Sequence, residues 1–172
     1  MLSTEFEILT PLSKLHRISR QISDRDTFAI EPGMWVKLDA EGRVANYVLD
    51  NGTGNGSAVP VAPKKEDVVE LCINSAVSGA LSVYEGNDTK VGNITTILEP
   101  GVRVAIGAGL LLGTLVVGDK VAINAAQDLD VNASNVVGSW KKADTNTMVV
   151  GIVTGVKGDM TEIRLIEPIW QA

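Results

Sequence analysis

Few side chains in this chain could perform catalysis or bind a metal ion. There is one histidine, His16, and one cysteine, Cys72. A Ser-His-Asp or Cys-His arrangement would have to use His16, which lies in an atypical N-terminal segment. One residue of each type cannot assemble a zinc site of the Cys/His kind. We therefore predict no catalytic residue, no metal ligand and no enzymatic activity, and we expect Cys72 to be a small buried hydrophobe.

Two further patterns match ligand-binding motifs only in part. Residues 128–132 place Asp, Asp and Asn at alternate positions, as a calcium loop does. The sixth and twelfth positions of that loop, however, are Ala133 and Ser139 instead of Gly and Glu. Gly107 and Gly109 follow a predicted strand, as in a dinucleotide site, but the residues after them leave no room for a helix. The sequence therefore predicts no cofactor.

Basic side chains gather near the N-terminus. From residue 12 to residue 23 the chain carries three formal positive charges and no negative one. Apolar residues here lie close to heptad spacing, which fits a short amphipathic helix, and an extended arm fits equally well. We predict an N-terminal arm, residues 1–27, that docks on a partner; a frayed terminus with solvated charges is the alternative. The predicted contact residues of the arm are Lys14, His16, Arg17 and Arg20.

The rest of the chain has the composition of a β protein. Hydrophobic residues make up 45% of the 172 residues and aromatics only 4%, so the core must be aliphatic, and 17 glycines and 6 prolines interrupt it often. Short apolar runs between frequent turns are typical of all-β folds. We predict a small β-barrel or sandwich of short strands over residues 28–172, with a loop-rich insert around residues 51–66.

Charge and hydropathy limit the partners of this body. The formal net charge of −6 argues against nucleic acid, because the chain would repel a phosphate backbone. The N-terminus lacks the pattern of a secretory signal. The most apolar run, residues 102–117, is interrupted by Arg103 and glycines and is too short to cross a bilayer. We expect a protein made in the cytoplasm, without a membrane segment.

One turn-and-strand pattern occurs more than once. Residues 30–38 and 98–106 both read apolar-Glu-Pro-Gly-x-x-Val-x-apolar, and residues 117–123 are a weaker copy. Pro fixes φ and Gly supplies a positive φ, as a type II turn requires. The pattern predicts a repeated turn that leads into a short strand.

The three tryptophans receive different predictions. Trp35 lies in a predicted strand and is expected in the core. Trp140 lies in a polar segment and Trp170 near the C-terminus. Because tryptophan is enriched in interface hot spots, we predict intersubunit contacts for Trp140 and Trp170. A loop anchor and an exposed chain end are the respective alternatives.

Four stretches of the chain share the motifs of one known family. They are Glu-Pro-Gly-Met-Trp-Val-Lys-Leu-Asp-Ala-Glu-Gly at residues 31–42, Val-Gly-Asp-Lys-Val-Ala-Ile at 117–123, Val-Val-Gly-Ile-Val at 149–153 and Ile-Arg-Leu at 163–165. On these motifs much of the chain, from Glu31 to Ile166, resembles the small β-barrel cement (decoration) proteins of tailed bacteriophage capsids. Strands of these kinds recur in this order in that family. The arm and the segment from residue 51 to residue 78 are additions to its simplest members.

The resemblance implies a structural virion protein on the capsid exterior. Such proteins bind the outside of an expanded icosahedral head, commonly as homotrimers, and clamp neighbouring capsomers. A ligand that binds only the mature shell stabilises it by mass action. The implied partners are the major capsid protein and other copies of the chain.

Other functions fit the same sequence. A head-completion or tail-tube subunit would belong to the same structural class. A carbohydrate-binding module would use Trp140 or Tyr84 as a stacking platform. A trimeric β-barrel enzyme such as a nucleotide hydrolase ranks last, because no phosphate-binding motif lies in a fitting context.

Overall fold

The computed structural model describes residues 6–21, 32–45, 47–50, 58–60, 62–73, 93–124 and 138–172. Within these ranges the chain forms strands and two single 3₁₀ turns, at Leu12–Lys14 and Ala108–Leu110, so the all-β prediction is confirmed. The strands are β1 (Phe6–Ile8), β2 (Ile18–Gln21), β3 (Trp35–Leu38), β4 (Val44–Ala45), β5 (Val48–Asp50), β6 (Ala58–Pro60), β7 (Val69–Cys72), β8 (Asn93–Ile97), β9 (Arg103–Ile106), β10 (Leu111–Leu112), β11 (Lys120–Asn124), β12 (Ser139–Lys142), β13 (Thr147–Lys157) and β14 (Met160–Gln171).

The strands form two main sheets and one isolated pair. The larger sheet has the order β1-β9-β14-β13-β11-β12-β10, the smaller sheet β2-β8-β7-β3-β4, and β5 pairs with β6. Two hairpins connect neighbouring strands: β3 leads into β4, and β13 leads into β14 with Lys157 opposite Met160. Of the predicted insert around residues 51–66, the described part holds β6 and the start of the Lys64–Asp67 turn.

The repeated turns have the same local geometry. Their glycines, Gly33, Gly101 and Gly118, have φ of +88°, +87° and +92°, a region that side chains with a Cβ rarely occupy. Each glycine N–H donates to the carbonyl oxygen of a residue on a neighbouring strand, at 2.8 to 2.9 Å. The N–H of that strand residue donates in return to the carbonyl oxygen of the residue that follows the glycine. The strand partners are Cys72, Leu165 and Val153 respectively. The predicted recurring turn is confirmed, including its weakest copy.

One apolar core lies between the two main sheets. It includes Trp35, Leu71 and Ile97 from the smaller sheet and Ile123 and Ile163 from the larger one, all nearly inaccessible to water. Alternate side chains of β7 point to the opposite face of the smaller sheet, where Cys72 belongs to a second, smaller cluster with Val36, Val44 and Leu38. The expectation that Cys72 is buried is confirmed.

On one side, the sheets are joined by the N-terminal residues. The β8–β9 segment passes from the smaller sheet to the larger one, and residues 6–21 run antiparallel beside it. Phe6 lies opposite Ile106 in the larger sheet, and Gln21 lies opposite Asn93 in the smaller sheet. The described part of the predicted arm is therefore extended and paired with both sheets, with one 3₁₀ turn between its two strands.

On the other side, Trp35 and Trp140 join the sheets. The backbone N–H of Trp35 donates to Gly138 O at 2.7 Å. The indole N–H of Trp140 donates to Gly33 O at 2.8 Å. The two rings meet edge to face, with centroids 5.2 Å apart and planes at 67°, a favoured aromatic geometry. Gly138 permits this approach, because a Cβ there would lie 2.5 Å from Trp35 O.

Gly138 and Gly113 offer a matched test of this junction, because their φ values are +85° and +86°. A Cβ at Gly113 would meet nothing within 4 Å. Gly113→Ala is expected to cost only the strain of a positive φ, about 1 to 2 kcal/mol. Gly138→Ala adds the collision with the Trp35 backbone and is expected to cost about 2 kcal/mol more. Urea unfolding of both variants measures the difference, and equal losses would mean that the junction adapts to a side chain.

Candidate functional site

The segment between β1 and β2, residues 9–17, is called here the crossing segment because it passes from one sheet to the other. Its first part is attached to Arg103: the N–H groups of Leu9 and Thr10 donate to Arg103 O at 2.9 and 3.3 Å, and Arg103 N–H donates to Thr10 Oγ1 at 2.8 Å. Its last part is attached to Glu99, whose Oε2 accepts the His16 backbone N–H at 2.9 Å. The segment is thus fixed at both ends to the second repeated turn.

Three of the four predicted basic contact residues lie on this segment, and their side chains are exposed. Lys14 closes the 3₁₀ turn, where its N–H donates to Pro11 O at 2.9 Å. The His16 side chain is 75% exposed, and its Nδ1 lies 3.9 Å from Glu99 Oε1. Neither Lys14 nor Arg17 forms an ion pair with any residue in the described ranges. Two cationic groups on a fixed backbone are therefore presented to solvent.

Arg20, the fourth predicted contact residue, forms an ion pair within the fold. Its Nε donates to Glu70 Oε1 at 2.9 Å and its Nη2 donates to Oε2 at 2.8 Å, a bidentate pair. Glu70 is 2% exposed and also accepts the Thr96 hydroxyl at 2.7 Å. The hydrogen bonds that Arg20 donates to Glu70 raise the pKa of its guanidinium, although burial opposes the shift. Because a buried carboxylate requires a cation, Arg20 anchors β2 across β8 to β7. Its side chain is still 27% exposed, and its contact with a partner stays a prediction.

Glu70 was not singled out in the sequence, although a signal was present. It is the one charged residue in the apolar run from Val68 to Ile73. Charged residues are almost never fully buried unless they are paired. A glutamate in the middle of a predicted buried strand therefore calls for a basic partner. The sequence does not indicate which of the several basic residues supplies it.

The two tryptophans predicted to contact other subunits have different environments. Trp140 is fully buried in the main core, so its side chain packs inside the chain and the predicted intersubunit contact is corrected. Of the polar residues beside it in sequence, Ser139 is also buried. Lys141 and Lys142 become progressively more exposed toward the end of β12. Trp170 is partly buried against the main core, beside the 60% exposed Ile169. Its intersubunit contact stays a prediction.

The predicted ligand-binding candidates lie in several places. No group of three or more His, Cys, Asp or Glu side chains that could hold a metal ion occurs in the described part of the chain. Gly107 and Gly109 lead into a single 3₁₀ turn. The calcium-like residues 128–132 and Tyr84 lie outside the described residues. Among the described elements, no helix is long and apolar enough to cross a membrane.

Comparisons with known proteins give no relative for this chain. No protein-family model, curated protein or solved structure matches it. The resemblance to capsid cement proteins therefore stays a prediction from the sequence.

Arg17 provides a matched control for the role of Arg20. Arg20→Ala leaves Glu70 buried without its cation, and breaking a buried pair costs about 3 to 5 kcal/mol. Since the Arg20 side chain is 27% exposed, the expected loss of unfolding free energy is about 3 kcal/mol, at the low end of that range. Arg17→Ala removes an exposed cation and is expected to change stability by less than about 0.5 kcal/mol. Denaturant unfolding of both variants measures the two losses. Similar stabilities of the two variants would mean that Arg20 does not anchor β2.

Proposed function

We propose that the protein is a non-enzymatic structural protein that binds the outer surface of a phage capsid and stabilises it, with the crossing segment as its docking surface. The observation that carries the proposal is that Lys14 and Arg17 are exposed and have no ion-pair partner among the described residues, on a short segment fixed at both ends. The class of partner comes from the turn-and-strand resemblance to capsid cement proteins. The other partner in this proposal is a second and third copy of the chain, in a homotrimer.

The charge distribution supports an acidic partner surface. The chain as a whole carries −6, so a cluster of cations is a local reversal of its field. Opposite charges across an interface guide encounter and fix orientation. Lys14 and Arg17 are not neutralised by a neighbour within the described residues, so an acidic partner surface would supply their counter-charges. Arg20 is not part of the proposed docking surface, because Glu70 already supplies its counter-charge.

The fixed backbone of the crossing segment also supports a docking role. Binding costs less free energy when the binding group is already ordered. The backbone hydrogen bonds to Glu99 and Arg103 hold the segment on the fold before any partner arrives. In a trimer, three such segments would bind one shell together, and multivalency makes individually weak contacts durable.

The structure bears on the carbohydrate-binding alternative through one residue. Trp140 is fully buried, so it offers no face on which a sugar ring could stack. That alternative would therefore depend on Tyr84 among the residues considered for it.

Charge reversal at the crossing segment tests the proposal. Lys14→Glu with Arg17→Glu changes two exposed charges, each worth about 0.5 to 1 kcal/mol at an interface rim. The expected result is a loss of affinity of about tenfold per chain, with unchanged unfolding. The measurement is co-sedimentation with expanded, empty heads of the tailed phage whose genome encodes the chain. Binding of the wild type is also expected to weaken with added salt.

A second double variant controls for net charge. Lys64→Glu with Lys65→Glu makes the same change at exposed lysines in the turn before β7. This variant is expected to bind the heads as the wild type does. Equal losses in both variants would mean that net charge alone matters, and full binding by the crossing-segment variant would remove that segment as the docking surface. Failure of the wild-type chain to bind any expanded head would overturn the proposed function.

A further inference from the structure

Three basic side chains stand in one line across four strands of the larger sheet. In the register of β9 and β14, Arg103 lies opposite Arg164. Arg164 lies opposite Ile152 of β13, and Ile152 lies opposite Lys120 of β11. Because residues directly opposite each other share one face of a sheet, the line is continuous from strand to strand. These four residues are called here the basic row.

The basic row faces away from the core. Successive side chains of a strand point to opposite faces, and the sequence neighbours of the row belong to the main core. Those neighbours are Val102, Val104, Val121, Val153, Ile163 and Leu165. The three basic residues are exposed and Ile152 is half-buried, so the row presents its charges to solvent from a hydrogen-bonded sheet.

The two arginines of the row are close to each other. Arg103 O accepts the N–H groups of Leu9 and Thr10, and Arg103 N–H donates to Thr10 Oγ1. The backbone polar groups of Arg103 therefore point toward β1 and away from β14. Opposed residues without mutual backbone hydrogen bonds have Cα atoms about 4.5 Å apart and close side chains. Since like charges directly opposite destabilise a sheet, an anion shared by Arg103 and Arg164 would remove a cost that the free chain carries.

One carboxylate among the described residues neutralises part of the row. Arg103 Nη2 donates to Glu162 Oε2 at 3.3 Å. Arg164 and Lys120 form no ion pair within the described ranges, and Glu7 on the edge strand β1 forms none with the row. Two of the three cations therefore lack a counter-charge.

We propose that the basic row binds the carboxylates of an extended acidic segment of a partner protein. The contact between Arg103 and Glu162 shows that a carboxylate fits a guanidinium of this row. Guanidinium groups match the planar carboxylate with two parallel donors. A phosphate polymer is disfavoured as the occupant, because the chain as a whole carries −6.

The length of the row favours an extended segment over a single small anion. Strands in a sheet lie about 4.8 Å apart, so four strands place Arg103 and Lys120 about 14 Å apart. Side chains on one face of an extended chain recur about every 6.8 Å. Three acidic residues at alternate positions therefore span the same length as the row. A phosphate or sulfate ion would meet one end of the row only.

NMR titration of the full chain tests the proposal without any capsid, so it does not depend on the proposed function. The probe is a synthetic, end-capped peptide with glutamate at every second position and threonine between. The largest shifts are expected at the side-chain N–H signals of Arg103 and Arg164. Arg164→Gln with Lys120→Gln is expected to lower the affinity about tenfold. A peptide of the same composition with its glutamates contiguous is expected to bind more weakly.

Two charge-matched variants are the controls. Lys64→Gln with Lys65→Gln removes two positive charges from the turn before β7, and Lys14→Gln with Arg17→Gln removes two from the crossing segment. Both are expected to bind the peptide as the wild type does. An equal loss in the Lys64 and Lys65 variant would assign the effect to net charge, and a loss in the crossing-segment variant alone would move the site there. Either result would overturn the proposal.

Two further measurements separate binding from a role in the fold. Arg164→Gln removes one of two opposed like charges, so its free energy of unfolding in urea is expected to equal or exceed that of the wild type. A clear loss of stability would mean that Arg164 serves the fold, and would overturn the proposal. Inorganic phosphate is expected to give weaker binding than the peptide, and equal binding would mean a small-anion site instead.

Discussion

The approach of Trp35 to Gly138 is the contact on which the two-sheet arrangement depends. One sheet contributes Trp35 and the other contributes Trp140, and the backbone hydrogen bond from Trp35 to Gly138 brings them together. The Trp140 indole then bonds to Gly33 O, so the first repeated turn is held by the same contact. A chain with so few aromatic residues places two of its largest side chains at this junction. Because these rings fill the space between the sheets, the small aliphatic residues elsewhere can complete the core.

The buried charge of Glu70 fixes the position of β2, the edge strand at the other end of the smaller sheet. Glu70 lies within the smaller sheet with almost no access to water, and Arg20 and Thr96 satisfy both of its oxygens. The pair fixes β2 in register beside β8. The crossing segment leads into β2, so this pair fixes the strand that follows Lys14 and Arg17, while Glu99 and Arg103 hold the segment itself. A stability requirement thus contributes to where the exposed cations are presented.

The crossing segment attaches a positive surface to the repeated turn. Among the described residues, Lys14 and Arg17 have no ion-pair partner, and in the proposed function they meet an acidic surface. The second repeated turn holds this segment through Glu99 and Arg103. The glycines of the first and third repeated turns bond to neighbouring strands in the same way as that of the second. The repeated turn therefore organises a surface as well as strands.

The sequence by itself determined the features that depend on neighbouring residues. The all-β class, the positive φ of Gly33, Gly101 and Gly118, the hairpins and the burial of Cys72 follow from local rules of turn chemistry and apolar patterning. It could not determine which side chains meet across long separations in sequence. The sequence does not distinguish Arg20 from the other three predicted contact residues, whereas the fold places Glu70, 50 residues away, beside it. For Trp140 the sequence predicts an intersubunit contact or a loop anchor, whereas the fold places Gly33, 107 residues away, at its indole. Tertiary structure decided these roles, because burial and charge pairing depend on distance in space and not on position along the chain.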